Sequence, residues 1–221
     1  MATPTMRMLD LFCGAGGAGE GYARAGFEVL GVDIKRYERN PHPMKAMDVL
    51  QLEPRDLWGY DLIHASPPCQ AHSSATPRRH RHRHADLIPA VRRLLRASGR
   101  PYVIENVPRA PLRDPITLCG SMFEGLRVRR HRLFECSFEL PQPPCGEHQP
   151  VYLSTKMAHR EAMRRGERDP YTEWVSCAGS ISPLDAHQDA MGIDWMSRRE
   201  LVQAIPPAYT QWIAERFIEQ R

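Results

Sequence analysis

Apolar residues in the first two thirds of the chain come in short runs that end at small or acidic residues. Met6–Phe12 is such a run and stops at a glycine-rich turn; Glu28–Val32 stops at Asp33, Asp61–Ala65 at Ser66-Pro67-Pro68, and Tyr102–Ile104 at Glu105. Runs this short, bounded by turn formers, read as buried strands. Between them, Glu20–Ala25 reads as helix, and Asp86–Ala97 carries Leu87, Val91, Leu94 and Leu95 at helical spacing. Leu133–Phe138 is a further strand candidate. Strand and helix in alternation predict an α/β fold around a doubly wound, mostly parallel sheet. Ligands in such sheets sit beyond the carboxyl ends of the strands.

The pattern fades after Phe138. Leu140-Pro141-Gln142-Pro143-Pro144 opens a polar stretch, and helical periodicity returns at Ser197–Arg221, divided by Pro206-Pro207 with the second piece over Ala208–Gln220. The expected organisation is a main domain over 1–138, a small insertion over 139–189, and C-terminal helices over 190–221 that complete the main domain. The chain has 221 residues, enough for one domain with a modest insertion. No apolar run approaches the roughly 18 residues of a membrane span, and the N-terminus lacks a signal-peptide pattern. A soluble cytoplasmic protein is the expectation.

Charge sharpens this picture. The formal net charge is only +4, but 27 of the 30 basic residues are arginine. Residues 72–100 hold eight arginines against the single acid Asp86. Arginine suits bidentate contact with phosphates and base edges. The run Arg78-Arg79-His80-Arg81-His82-Arg83-His84 matches no zinc spacing, and its arginines would repel a cation. The six cysteines show no disulfide framework. Of Cys136, Cys145, His148 and Cys177, only Cys145 and His148 stand at suggestive spacing, and no metal site is expected.

Four segments could carry chemistry. Phe12-Cys13-Gly14-Ala15-Gly16-Gly17-Ala18-Gly19-Glu20-Gly21 holds five glycines after the first strand, which allow close approach of a ligand. With Asp33 placed for ribose hydroxyls and Asp48 within reach of an adenine amine, it suggests an adenosine-bearing cofactor. In Pro67-Pro68-Cys69-Gln70, two prolines restrain a candidate nucleophile. The basic run starts just after it; a positive field lowers a thiol's pKa and holds a phosphate backbone. Glu105-Asn106-Val107 puts an acid at a strand end, suited to a base's ring nitrogen and exocyclic amine. Arg130 and Arg132 alternate on an extended segment, so they share a face.

In this order, these segments resemble the cytosine-C5 DNA methyltransferase family, and the Arg129-Arg130-His131-Arg132-Leu133-Phe134 and Ile205-Pro206-Pro207-Ala208-Tyr209 stretches are similar to small phage-type members. The resemblance implies a Rossmann-like, S-adenosylmethionine-dependent methyltransferase with a target-recognition lobe at 139–189. It implies double-stranded DNA as partner, a monomer, and a place in the cytoplasm of a bacterial or phage-infected cell. By resemblance, Cys69 adds to carbon 6 of a flipped cytosine, Glu105 serves the N3 and N4 side, Arg132 holds O2 and Arg130 supports the pocket. Phe12, Gly14, Gly16, Asp33, Ile34, Asp48, Pro68 and Gln203 would form the cofactor site, with Phe12 on the adenine. Arg78, Arg79, Arg81 and Arg83 would meet DNA.

Three departures stand out. Val128 occupies a position where the family usually has Gln, Val202-Gln203 replaces Gly-Asn, and the insertion has about 50 residues, which implies a short recognition sequence or weak specificity. Other readings are an RNA cytosine-C5 methyltransferase, a transferase using a modified cofactor, and a non-catalytic DNA-binding relative.

Overall fold

The computed structural model describes residues 5–148, 151–152, 164–167, 174–175 and 183–221. Seven strands form one sheet: β1 (Arg7–Leu11), β2 (Glu28–Asp33), β3 (Met44–Ala46), β4 (Leu62–Ala65), β5 (Tyr102–Asn106), β6 (Ile116–Leu118) and β7 (Arg132–Cys136). Their order is β3-β2-β1-β4-β5-β7-β6. The pairs among β1 to β5 are parallel, whereas β7 runs antiparallel to both β5 and β6. The expected doubly wound, mostly parallel α/β fold is the one observed. β3 and β6 have three residues each, too few for a periodicity to register.

Side chains alternate across this sheet, and the alternation builds two cores. Met8, Leu62 and Val103 face one side with Tyr22, Tyr209 and Ile213. Leu9, Leu11, Ile63, Ala65 and Ile104 face the other with Val91 and Leu95. Helix α1 (Gly17–Arg24) serves the first core and α2 (Ile88–Ser98) the second. Burial on both faces explains why the strands read as apolar runs rather than as alternating patterns. Asp10 and His64 are register partners on the first face and are both buried.

The C-terminal helices α3 (Leu184–Met191), α4 (Arg198–Leu201) and α5 (Pro207–Glu219) join the first core. Trp195 donates to the Ala15 carbonyl at 2.8 Å and Thr210 to the Ala18 carbonyl at 2.7 Å. Helix α3 crosses the expected end of the insertion at 189, with Ala186, Ala190 and Met191 fully buried. The small strands β8 (Val151–Tyr152) and β9 (Trp174–Val175) pair in parallel. Val175 also links by backbone hydrogen bonds to Arg127 and Arg129, so β9 is stitched to the segment before β7.

α1 starts at Gly17, earlier than its sequence pattern suggests, because its glycines serve packing. A Cβ on Gly17 would lie 2.6 Å from the Ile205 carbonyl oxygen, and one on Gly21 would overlap the Pro207 carbonyl and the Thr210 hydroxyl. Gly21→Ala should therefore force α5 off α1 and cost about 3 kcal/mol, at the upper end of ordinary overpacking. Thermal unfolding should show a fall of roughly 6–12 °C for a domain of this size; an unchanged transition would show that the helices yield freely.

Candidate active site

The glycine turn after β1 has unusual backbone geometry. Phe12 (φ 60°) and Asp114 are the non-glycine residues with positive φ among the described ones, and Gly14 and Gly16 follow with φ 50° and 84°. Positive φ at an aromatic residue is strained and is held here by its surroundings. Gly14 donates its N–H to Asp33 Oδ2 at 3.0 Å, and Lys35 donates to Asp33 Oδ1 at 3.1 Å. Each Asp33 oxygen retains acceptor capacity after one such bond. A Cβ on Gly14 would meet nothing within 4 Å, so open space lies beside this backbone. On Gly16 it would strike Asn40 Oδ1 at 2.5 Å, a packing constraint instead.

Ile34, next to Asp33, is 67% exposed, and Leu50, two residues beyond Asp48, is 48% exposed. Asp48 caps a short 3-10 turn by accepting the Leu50 N–H at 2.9 Å. The carboxyl ends of β1 and β2 thus present exposed apolar surface beside acceptor oxygens. Gln203 is exposed and follows α4, just before Ala204 and Ile205, which abut Gly17.

Asn106 explains how Cys69 is placed. Its side-chain amide donates to the Pro67 carbonyl at 2.9 Å while its oxygen accepts the Val107 N–H at 2.9 Å. The end of β5 thereby holds the Pro67-Pro68-Cys69 segment at the end of β4. After Cys69 the chain turns back, with the His72 and Ser73 N–H groups donating to the Cys69 carbonyl. The thiol is half-buried, whereas Pro68 is exposed.

Glu105 is buried and pairs with Arg132 Nε at 3.0 Å. Burial raises its pKa; Arg132, a Ser66 hydrogen bond and Arg130 offset this only in part. Arg130 is 5% exposed, donates Nη2 to the Val202 carbonyl at 3.0 Å, and leaves its buried Nε without a partner. Tyr209 donates its hydroxyl to the Arg130 carbonyl at 2.7 Å. The residue replacing the family's Gly thus supplies a backbone acceptor for Arg130. Val128, where a Gln is usual, is fully buried among apolar residues.

One expectation is corrected. The basic run was expected to lower the Cys69 pKa, but burial and Glu105 raise it, with Arg132 and Arg130 only partly opposing. Arg78–Arg83 forms a 3-10 turn after the site in which Arg78, Arg79 and Arg83 are exposed and Arg81 is half-buried, donating to the Thr76 carbonyl at 3.2 Å. A second difference concerns the thiols and histidines. Cys136 lies on β7 opposite Val103, while Cys145 and His148 meet Cys119 and His131; Cys177 lies outside the described residues.

His64 carries no legible sequence signal, yet it backs the site. Its Nε2 lies 2.8 Å from Ser66 Oγ, its Nδ1 lies 3.0 Å from the Tyr22 hydroxyl, and Ser66 reaches Glu105. Burial lowers the His64 pKa to about 3, so the ring is neutral. One proton arrangement satisfies the whole chain: Tyr22 donates to Nδ1, Nε2–H donates to Ser66, and Ser66 donates to the Glu105 carboxylate.

Asp10 lies beneath this chain. Both carboxyl oxygens are buried without a hydrogen-bond partner of good geometry, and burial lifts the pKa to about 8, the Gly19 N–H offsetting this in part and Asp33 and Glu105 adding to the rise. The folded state then binds a proton that the unfolded state has released above about pH 4, so this group makes stability fall as pH rises from about 4 to 8. Asp10→Asn should remove that slope. Its stability advantage over the native chain should grow across that window and level off above it, as read by denaturant melts at several pH values; a constant difference would contradict the assignment.

The comparisons with known proteins agree with this geometry. Residues 6–114 match the family profile described as C-5 cytosine-specific DNA methylase. Type II methyltransferase M.HgiGI of Herpetosiphon aurantiacus is 34% identical over 119 residues, covering 48% of this chain and 94% of that protein. M.HgiDI of the same organism is 35% identical, but the chain spans only 38% of its length. Among solved structures, a protein encoded within an E. coli prophage and titled a DNA modification methyltransferase superposes with TM-score 0.68 at 15% identity, over 97% of this chain and 99% of that one. Entamoeba histolytica methyltransferase EhMeth gives 0.61 at 12%, over 99% and 100%. These superpositions speak to the fold, and the sequence matches speak to descent. The chain belongs to the C-5 cytosine-specific DNA methylase family.

Proposed function

We propose that this chain transfers a methyl group from S-adenosylmethionine to carbon 5 of cytosine in double-stranded DNA. The observation that carries the proposal is the meeting of a half-buried thiol, a buried carboxyl of raised pKa and two buried or half-buried arginines at the ends of adjacent strands.

The cofactor site fits an adenosine-bearing methyl donor. Asp33 offers free acceptor capacity for ribose hydroxyls, Ile34 and Phe12 offer apolar surface for the adenine, and Asp48 takes its amine. Gly14 opens space for the methionine part, with Gly16, Pro68 and Gln203 around it. Bound there, S-adenosylmethionine supplies an electrophilic methyl group.

The target base must leave the stack to reach this depth. Glu105 donates its proton to ring N3 and accepts from the N4 amine, a role for which its raised pKa suits it. Arg132 and the unpartnered Nε of Arg130 face the O2 side. When Glu105 gives its proton to the ring, its remaining charge is shared with N3–H and Arg132, and the half-buried Cys69 releases its thiol proton to water as its sulfur adds to carbon 6. The new S–C6 bond makes carbon 5 a nucleophile. After methylation, carbon 5 loses its proton to water, the S–C6 bond breaks, N3 returns its proton to Glu105 and the thiolate leaves. The exposed Arg78, Arg79 and Arg83 and the half-buried Arg81 meet the phosphate backbone, so affinity should fall steeply with salt.

Sequencing of methylated cytosines in DNA from cells expressing the chain tests the proposal. C5-methylcytosine in a fixed short context is expected. Unmodified DNA with methylated RNA would replace the acceptor, and no modified base would contradict the activity.

A further inference from the structure

We propose that Cys119, His131, Cys145 and His148 form a structural zinc site that pins the entry of the inserted segment to the edge of the main sheet. Their sulfur and nitrogen ligand atoms all lie within 4.8 Å of one another. His148 Nε2 is 3.3 Å from both Cys119 Sγ and Cys145 Sγ, and Cys145 Sγ is 3.6 Å from His131 Nε2. A tetrahedral ion with bonds of about 2.3 Å to sulfur and about 2.0 Å to nitrogen sets unlike ligands roughly 3.5 Å apart. The observed separations bracket that value.

Ordinary hydrogen bonds explain the cluster poorly. A ring nitrogen carries one proton or one lone pair, yet His148 Nε2 faces two sulfurs, and Cys145 Sγ faces two ring nitrogens. Four ligand atoms within 4.8 Å of one another can share one ion. The His131 and His148 rings meet edge-to-face, with centroids 4.8 Å apart at 85°, and both Nε2 atoms lie within 3.6 Å of Cys145 Sγ.

The placement in the fold gives the ion its task. Cys119 follows β6, the edge strand, and His131 precedes β7. Cys145 and His148 lie on the segment that leaves the sheet for the insertion. That segment is already guided along the edge, because the Gln142 amide pairs with both backbone groups of Thr117 at 2.7 and 2.9 Å. Two thiolates and two neutral imidazoles cancel a divalent charge, so neighbouring arginines do not oppose it. Four protein ligands leave no open position, which marks a structural site and not a catalytic one. His131 stands between Arg130 and Arg132, so the ion would also hold the start of β7 on the side opposite the base pocket. The sulfur and imidazole donors favour zinc over harder cations.

Metal analysis of the tag-free chain, purified under reducing conditions without chelator, tests this. About one zinc per chain is expected, falling at least tenfold in Cys145→Ser and in His148→Ala and unchanged in Cys136→Ser. Cobalt(II) in place of zinc should give the intense visible bands and thiolate charge-transfer absorption of a tetrahedral sulfur site, a readout that needs no variant to fold. A native chain without stoichiometric zinc and without those bands, or a Cys145→Ser chain that keeps its zinc, would overturn the site.

Discussion

Cys69→Ala should reduce methyl transfer by at least about 10⁴-fold while leaving affinity for DNA and cofactor within a few-fold of native. The size follows from the role: without the sulfur no S–C6 bond forms, and carbon 5 of an unactivated cytosine is a poor nucleophile. The selectivity follows from the structure. Cys69 is half-buried at the end of β4, and its removal leaves Asp33, Asp48 and the arginine turn untouched. Removing the thiol takes away neither the Glu105–Arg132 pair at 3.0 Å nor the Asn106–Pro67 bond at 2.9 Å, so the pocket should keep its shape. Initial rates of labelled-methyl transfer and a parallel gel-shift series measure the two halves of the expectation. A variant that turns over at the native rate would assign the nucleophile elsewhere; one that loses DNA binding in proportion would make Cys69 structural.

Arg92→Ala should be the most damaging substitution to stability outside the site. Arg92 on α2 reaches across to Glu135 on β7 with two hydrogen bonds, at 2.8 and 2.6 Å, and also donates to the Pro111 carbonyl at 3.0 Å. Glu135 is 3% exposed and accepts the Arg113 N–H as well. Truncating the arginine leaves a buried carboxylate without its cation, a loss of about 3–5 kcal/mol. That is a large part of the 5–15 kcal/mol that holds a typical domain together. Because the pair anchors β7, the strand that begins with Arg132, transfer activity should fall with stability. Denaturant unfolding reads the first effect. The paired replacement Arg92→Met with Glu135→Gln removes the stranded charge and should recover more than half of the loss. A loss below about 1 kcal/mol in the single variant would show that water reaches Glu135 freely.

The sheet was legible because both its faces are covered: buried strands write apolar runs into the chain, and β1, β2, β4 and β5 end within a residue or two of where those runs stop. The candidate site residues are legible for a related reason, since Asp33, Cys69 and Glu105 all follow or close such strands. What stayed hidden depends on contacts between distant segments. Gly17 and Gly21 look like ligand-loop glycines in the sequence, yet Gly17 accommodates the Ala204-Ile205 backbone and Gly21 accommodates α5. His64 lies within an apolar strand and shows its role only when Tyr22 and Ser66 are placed beside it. Cys119 and His131 are 26 and 14 residues from Cys145 and become its neighbours because β6 and β7 are adjacent. The direction of the thiol's pKa differs from the expectation because charge along the chain is a poor guide to charge in space: burial and Glu105 raise it, and the arginines that oppose them are Arg132 and Arg130, more than 60 residues away in sequence.

Covalent trapping tests the central claim most directly. Duplex DNA carrying 5-fluorocytosine at the methylated position should, with S-adenosylmethionine present, give a denaturation-resistant adduct with the native chain. Fluorine cannot leave as the carbon-5 proton does, so the S–C6 bond to Cys69 persists. Peptide mass analysis should place the DNA on Cys69, and the Cys69→Ala chain should give no adduct. A preparation that methylates ordinary DNA yet forms no adduct, or forms one at another residue, would contradict the account.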